Sequence, residues 1–410
     1  MTMKLRRRDA LLLAGGTLVT SRGARAEAKY GPGASDTEIK IGNTMPYSGN
    51  ASAYGVVGRA QAAYFRMVNE QGGVNGRKIN FLSLDDGYSP PKTVELVRQL
   101  VERDQVLLLF STLGTACNTA IHKYVNQKKV PHILIASGAS KWGNPKQFPW
   151  SMGWQPDYHT EGLIYAKHAL ATVKDPKIGI LRQNDDMGVD YLDGFMEGLK
   201  AGLGKDYEKS VVAAVTYEVT DPTVDSQVLQ LKNSGANVFY NVTTPKFAAQ
   251  AIKKSAEIGW KPAQYLVNVS ASIGAVIRPA GFENSQGIIT AAYLKDITDP
   301  RWHGAPDYLE WKAWMEKWNP TANLIESANV SGYIGAIVMT RILKNCGDDL
   351  TRENVMHQTA SMKDWEVPML LPGIKANTSP TDYFPLQSVN LARIDGEHWT
   401  LFGDLMTAGS

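Results

Sequence analysis

The 410-residue sequence has little cysteine, few long apolar runs and, once its first segment is set aside, no surplus of positive charge. Cys117 and Cys346 are the only two cysteines. With no CxxC pair and no Cys/His cluster, neither a zinc site nor a dithiol redox site has support. Spacing alone leaves a bridge between them and two buried free thiols equally open. The seven histidines are scattered, without HExxH or a neighbouring carboxylate pattern, and read as surface or packing residues. A GxSxG elbow is absent, and Ser137 and Ser140 have no base evident in the sequence, which ranks a hydrolase last. No cofactor and no metal is expected. Beyond residue 26 no apolar run reaches the roughly 18 residues a membrane helix needs, so no membrane insertion of the mature chain is expected.

What is present begins with an export signal over residues 1–26. Arg6-Arg7-Arg8 precede an apolar run from Ala10 to Val19, and Ala24-Arg25-Ala26 follows as a small-x-small cleavage site. The arginine-rich lead resembles a twin-arginine signal without matching every position, which leaves that route and general secretion open. The reading places the mature chain, from Glu27, in the periplasm. The segment carries six cations against Asp9, so the formal +3 of the whole chain falls to −2 without it. The remaining Lys and Arg are interspersed with Asp and Glu, which sets aside nucleic acid as a partner.

Strand and helix signals then alternate. Ile39–Met45, Ile79–Leu84, Val106–Phe110 and His132–Ala136 read as strands, separated by helical patterns at Gly58–Asn69, Pro91–Arg103 and Thr115–Lys128. A second series follows the aromatic segment 148–154. Its helices are expected at Tyr158–Thr172, Val189–Ala201, Ser226–Ser234 and Lys246–Ile258, and its strands at Ile178–Leu181, Val211–Tyr217, Val238–Val242 and Tyr265–Val269. Such alternation implies parallel sheets covered on both faces, and two series argue for two α/β lobes joined near Met152–Gln155. A strand-like run at Gly287–Ala292 precedes helices at Tyr308–Trp318, Val330–Lys344 and Arg352–Ser361, which need the first lobe's sheet to cover. Asp395-Gly396 then marks a closing hairpin between Ser388–Ile394 and His398–Phe402.

Ligands of open α/β sheets collect where loops leave the carboxyl ends of strands. The first lobe's loops there are Pro46–Gly55, Ser111–Thr115 and Ala136–Ser140, rich in Gly, Ser and Thr and nearly free of charge. Small hydroxyls and helix N-terminal N–H groups suit a carboxylate or similar polar head group. Each loop alone could be an ordinary turn, and Thr115 a mere cap; three at equivalent strand ends of one sheet carry the reading.

Ile39-Lys40-Ile41-Gly42, Pro46-Tyr47-Ser48-Gly49, Tyr54-Gly55, the run from Asn69 to Arg77, Leu84-Asp85-Asp86 and Val130-Pro131 together resemble the leucine/isoleucine/valine-type periplasmic binding proteins, the solute receptors of ABC importers. The resemblance covers nearly all of the mature chain. It implies the type I periplasmic binding protein fold: two α/β lobes, three hinge crossovers and a ligand closed between them. The lobes are expected at 36–152 plus 291–369 and at 153–290 plus 370–405. By position, Ser48, Tyr54, Thr115, Gly138 and Ser140 match places where that family holds the ligand's carboxylate and nearby groups, with Gly114 as the alternative to Thr115. Trp154, at the first crossover, could wall the cleft. Met187 and Thr243 fall where relatives that bind branched-chain amino acids carry aromatic residues, and Ser270 lies in the last of the second lobe's ligand loops.

One departure bears on the ligand. Relatives that bind α-amino acids pair the ammonium with an acid after the strand ending near Val269, and this chain has Asn268-Val269-Ser270-Ala271-Ser272. An uncompensated buried ammonium costs on the order of several kcal/mol. Either Asp185 or Asp186 supplies the charge, or the ligand has no ammonium; the second points to an aromatic or aliphatic carboxylate, or to an amide. The expected partners are therefore that small solute and an ABC transporter permease, with the chain a monomer. A branched-chain amino acid receptor and a periplasmic sensory protein are the alternatives within the same fold.

Trp311, Trp314 and Trp318 lie on one helix face and read as core. Adjacent Asp85 and Asp86 point to opposite faces of a strand end and read as structural rather than as a metal pair.

Overall fold

The computed structural model describes residues 28–407. Its first sheet has five parallel strands in the spatial order Lys78–Asp85, Glu38–Met45, Leu108–Phe110, His132–Ile135, Ser151–Gly153. Full burial of Leu107 to Phe110 and of Ile133 to Ile135 explains why these strands are near-continuous apolar runs rather than alternating ones. The second sheet has seven strands, in the order His398–Met406, Val389–Asp395, Ile289–Ala292, Ala263–Leu266, Val238–Val242, Ile178–Gln183, Val211–Tyr217. Five of them run parallel, and the hairpin built on Asp395-Gly396 adds an antiparallel edge.

Helices form where apolar residues recur at helical spacing and a capping side chain is available. Asp157 accepts the Thr160 N–H at 2.7 Å and opens Tyr158–Thr172; Asp185 accepts the Gly188 N–H at 3.1 Å and opens Asp186–Leu203. Glycines let helices approach: a Cβ on Gly194 would lie 1.9 Å from the His159 carbonyl, and one on Gly332 2.5 Å from that of Val57. The second contact packs Ala328–Cys346 on Gly55–Glu70, so the C-terminal helices do cover the first sheet. Trp311 and Trp314 are buried in that core, with Trp314 4.7 Å from Tyr333.

The chain passes between the sheets after Gly153, after Ala292 and before Val389, which makes three crossovers. The strand expected at Tyr265–Val269 stops at Leu266, and Asn268–Ser270 forms a helical turn instead. Ser151–Gly153 was expected as part of an aromatic connector and is the first sheet's fifth strand. The export signal lies outside the described residues. Among those described, no helix is long and apolar enough to cross a membrane, and Cys117 and Cys346 are both free and buried.

Candidate functional site

Loops at the carboxyl ends of the first sheet are held by buried polar side chains. The Thr112 hydroxyl donates to Asn118 Oδ1 at 2.6 Å and lies 2.6 Å from His132 Nε2, while Asn118 Nδ2 donates to the carbonyls of Thr112 and Gly114. Burial drives the His132 pKa well down, keeping the imidazole neutral. This network fixes the turn that starts the Thr115–Gln127 helix, whose first N–H groups have no intrahelical acceptor. Gly114 sits at φ +100°, and a Cβ there would lie 2.5 Å from the Tyr88 ring.

Those loops form one wall of a cleft between the lobes, with a void of about 1480 Å³ including the part open to solvent. Tyr54, Tyr88, Gly114 and Thr115 face it from the first lobe, Trp154 and Tyr158 from the first crossover, and Met187, Pro245 and Asn268 from the second lobe. Trp154 is 6% exposed and its indole N–H has no hydrogen-bond partner. A buried donor without an acceptor costs about 1–3 kcal/mol, so a ligand acceptor there is rewarded. Tyr88, Ser111 and Leu134, all lining the cleft, have φ of 60°, 52° and 52°. Non-glycine residues in that region store strain of about 1–3 kcal/mol each, and such strain concentrates at ligand sites.

Four of the expected residues, Tyr54, Thr115, Trp154 and Met187, line this cleft, and so does Gly114, the alternative to Thr115. The other five do not, each for a visible reason. Ser48 turns to Asp85, its hydroxyl 2.6 Å from Oδ2. Gly138 packs against the crossover, where a Cβ would meet the Pro156 carbonyl at 2.5 Å and the Tyr158 ring at 2.6 Å. Ser140 gives both its N–H and its hydroxyl to Asp190 of the other lobe, at 2.8 and 2.5 Å. Thr243 donates to Asn241 Oδ1 at 2.7 Å, and the Ser270 hydroxyl donates to the Thr243 carbonyl. Asp85 accepts three backbone N–H groups, from Tyr47, Ser48 and Gly87, and Asp86 accepts the Tyr88 N–H and the Thr93 hydroxyl, so both carboxylates hold loops.

Sequence reasoning missed Tyr88 and Tyr158. Tyr88 had a signal, since Asp85-Asp86-Gly87 predicts a turn that projects the next residue. Burial pushes the Tyr158 phenol up to about 12, so it stays a neutral donor beside Thr115 and Ser137. Behind the wall, the buried Glu161 carboxyl accepts the hydroxyls of Tyr165 and Tyr191 and the Asn268 N–H, the last at 2.6 Å, and burial pushes its pKa up to about 7. That N–H bond fixes the turn which replaces the end of the expected strand.

Neither acid proposed as an ammonium partner faces the cleft. Asp186 pairs with Lys141 at 2.5 Å and accepts the Thr119 hydroxyl, and its hydrogen bond with Lys141 holds its pKa below the ordinary value. Asp185 accepts from Gly188 N and Gln183 Nε2. The Asp186 and Asp190 contacts belong to a polar clasp along the rim. Asn50 continues it, donating to the Val219 carbonyl at 2.8 Å and accepting from Lys246 Nζ at 3.0 Å. On the opposite side Ser272 donates to Glu326 at 2.7 Å.

Comparison with known proteins identifies the family and the fold. The family described as periplasmic binding protein matches residues 38–398. The Leu/Ile/Val-binding protein homolog 7 of Brucella suis is 22% identical over 327 residues, covering 76% of this chain and 78% of its own. A branched-chain amino acid ABC transporter structure from Thermus thermophilus with bound valine superposes with a TM-score of 0.79 at 15% identity, over 91% of this chain and 97% of that one. A solute-binding protein of an ABC transporter from Rhodopseudomonas palustris BisB5, in complex with 3,4-dihydroxybenzoic acid, superposes with a TM-score of 0.74 at 19% identity, over 91% and 98%. At these identities the two superpositions establish a common fold.

Proposed function

This chain belongs to the periplasmic binding protein family, and we propose that it is an extracytoplasmic solute receptor, one that captures a small carboxylate- or amide-bearing solute between its lobes and delivers it to an ABC importer. The observation that carries the reading is the partnerless indole N–H of buried Trp154 in a cleft also lined by Tyr54, Thr115 and Met187. Those four residues are the proposed ligand contacts, with the start of the Thr115–Gln127 helix supplying further N–H donors. Ser48, Gly138, Ser140, Thr243 and Ser270 act one step back, fixing loops and lobe contacts. The proposed lobes are 36–152 with 291–369, and 153–290 with 370–405.

Mechanism follows from the three crossovers. A solute docks on the first lobe's donors, and contacts from Met187 and the rim form only on closure, so binding energy selects the closed form that a permease would read. Micromolar affinity requires about 8 kcal/mol, or roughly 0.8 kcal/mol per atom for ten heavy atoms, which demands near-complete enclosure. The same family fold accepts valine in one neighbour and a dihydroxybenzoate in another, so the choice rests on this cleft's own side chains. Residues 268–272 hold no acid to pair an α-ammonium, and the carboxyls that do line the cleft, Asp296 and Glu326, already accept from Trp399 N–H and the Ser272 hydroxyl, which favours a solute without one.

A thermal-shift screen of amino acids, matching non-amino acids, aromatic acids and amides tests this, with scattering to follow closure. Stabilisation and compaction by an acid or amide are expected. Leucine or valine acting where the matching acids do not would reverse the preference, and turnover of an ester or amide would replace a receptor with an enzyme.

A further inference from the structure

The cleft has apolar lining beyond its oxygen-binding end. From Trp154 and Thr115 it extends back to the hinge, where Ala292, Leu294, Trp302 and Leu401 make the wall. All four are only half-buried although they line an interlobe space. Apolar surface in that position is covered with gain by a hydrophobic group and by little else.

Charge is arranged to match. Among the described residues, one basic and two acidic side chains line the cleft, Lys295, Asp296 and Glu326. Lys295 is committed: its Nζ lies 2.7 and 2.5 Å from the two Asp307 oxygens and 5.4 Å from the Trp302 ring centre. Asp296 accepts the N–H groups of Thr298 and Trp399 at 3.0 and 2.8 Å, and Glu326 accepts the Ser272 hydroxyl; among the described residues neither is in an ion pair. Burial raises the pKa of both. An anion placed at this end of the cleft would meet two carboxyl groups and no available cation.

Resting on the receptor reading above, we propose that the solute is one-headed: its oxygen-bearing head meets Trp154 and the Thr115 helix start, an uncharged apolar body lies along Ala292, Leu294, Trp302 and Leu401, and Asp296 and Glu326 exclude a second anionic group. Specificity then comes from the hinge wall and its carboxyls as much as from the head loops.

Titration calorimetry on the secreted protein decides it, using straight-chain monocarboxylic acids from acetate to octanoate, phenyl-substituted acids, their primary amides, and dicarboxylates of equal length. Affinity is expected to rise about fourfold per methylene until the wall is covered, and each dicarboxylate to bind at least tenfold more weakly than its monoacid. Ala292→Leu should weaken the longest members about tenfold and leave the shortest within twofold, and Glu326→Gln should narrow the dicarboxylate penalty. Binding of short acids or amides with no gain from size, or dicarboxylates equal to monoacids, overturns the one-headed assignment and leaves the receptor reading intact. No binding by any acid or amide overturns both.

Discussion

The two walls of the cleft are built on opposite plans. The first lobe's loops present donors: the turn before Thr115 is locked from behind by Thr112, Asn118 and His132, and the N–H groups at the start of the helix are left for a ligand. The second lobe's loops consume their own polarity. Ser270 bonds to Thr243 and Thr243 to Asn241, and Met187, Pro245, Val269 and Ala271 reach the cleft beside Asn268 and Ser272, whose side chains donate to the Ala291 carbonyl and to Glu326. On the proposed function, one wall recognises and the other covers. Hydroxyl-rich sequence is therefore insufficient evidence of a binding surface: Ser270 and Thr115 are both buried and both hydrogen-bonded within the protein, and what separates them is that Thr115 lines the cleft and Ser270 does not.

The contrast can be broken most forcefully through Glu161, which ties the covering wall to its lobe. A carboxyl raised from an ordinary 4.5 to about 7 adds stability in full below pH 4.5 and loses it as pH climbs through 7. Since Glu161 is only 3% exposed, the gap in unfolding free energy between the native protein and Glu161→Gln should move in the variant's favour by on the order of 3 kcal/mol from pH 4 to pH 8. A pH-independent gap in denaturant titrations would remove the buried protonated acid.

A paired experiment sharpens the distinction between walls. Trp154→Phe deletes the waiting donor and should weaken binding about tenfold, close to 1.4 kcal/mol, with stability unchanged or slightly raised. Ser270→Ala should do the reverse, costing about 1 kcal/mol of stability while Kd stays within twofold. Calorimetry and denaturation on both variants check it, and equal Kd losses would erase the difference between the walls. Thr115→Val, which also breaks the bond to Ser137, should cost several-fold in affinity.

The smallest effect belongs to the rim. Lys141 and Asp186 are partly exposed, so Lys141→Met should cost under 1 kcal/mol of closure, about twofold to fivefold in Kd at low salt, and nothing measurable near 1 M salt. A salt-independent loss would mean that the pair acts by packing.

How much of this could be read in advance follows from the range of the forces involved. Tyr158–Thr172, Val211–Tyr217 and Val238–Val242 have the expected ends, because a capping acid or flanking turn residues set them locally. The strand after Gln264 fails at Leu266 because Glu161, 107 positions earlier, claims the Asn268 N–H. Ser151–Gly153 escaped notice because its pairing with His132–Ile135, not its own composition, makes it a strand. The head end of the cleft was legible in the loops around Tyr54 and Thr115. The hinge wall was not, since Leu294, Trp302 and Leu401 meet only after the second and third crossovers fold back.

The rim clasp has a kinetic consequence. On the proposed function, Lys141–Asp186, Ser140–Asp190 and Asn50–Lys246 would all part before a captive could escape, and none is among the proposed ligand contacts. Dwell time and selectivity are thereby assigned to separate residues. Selection on the margin can retune how long cargo stays aboard for a slower or faster carrier while the interior goes on choosing the same molecule.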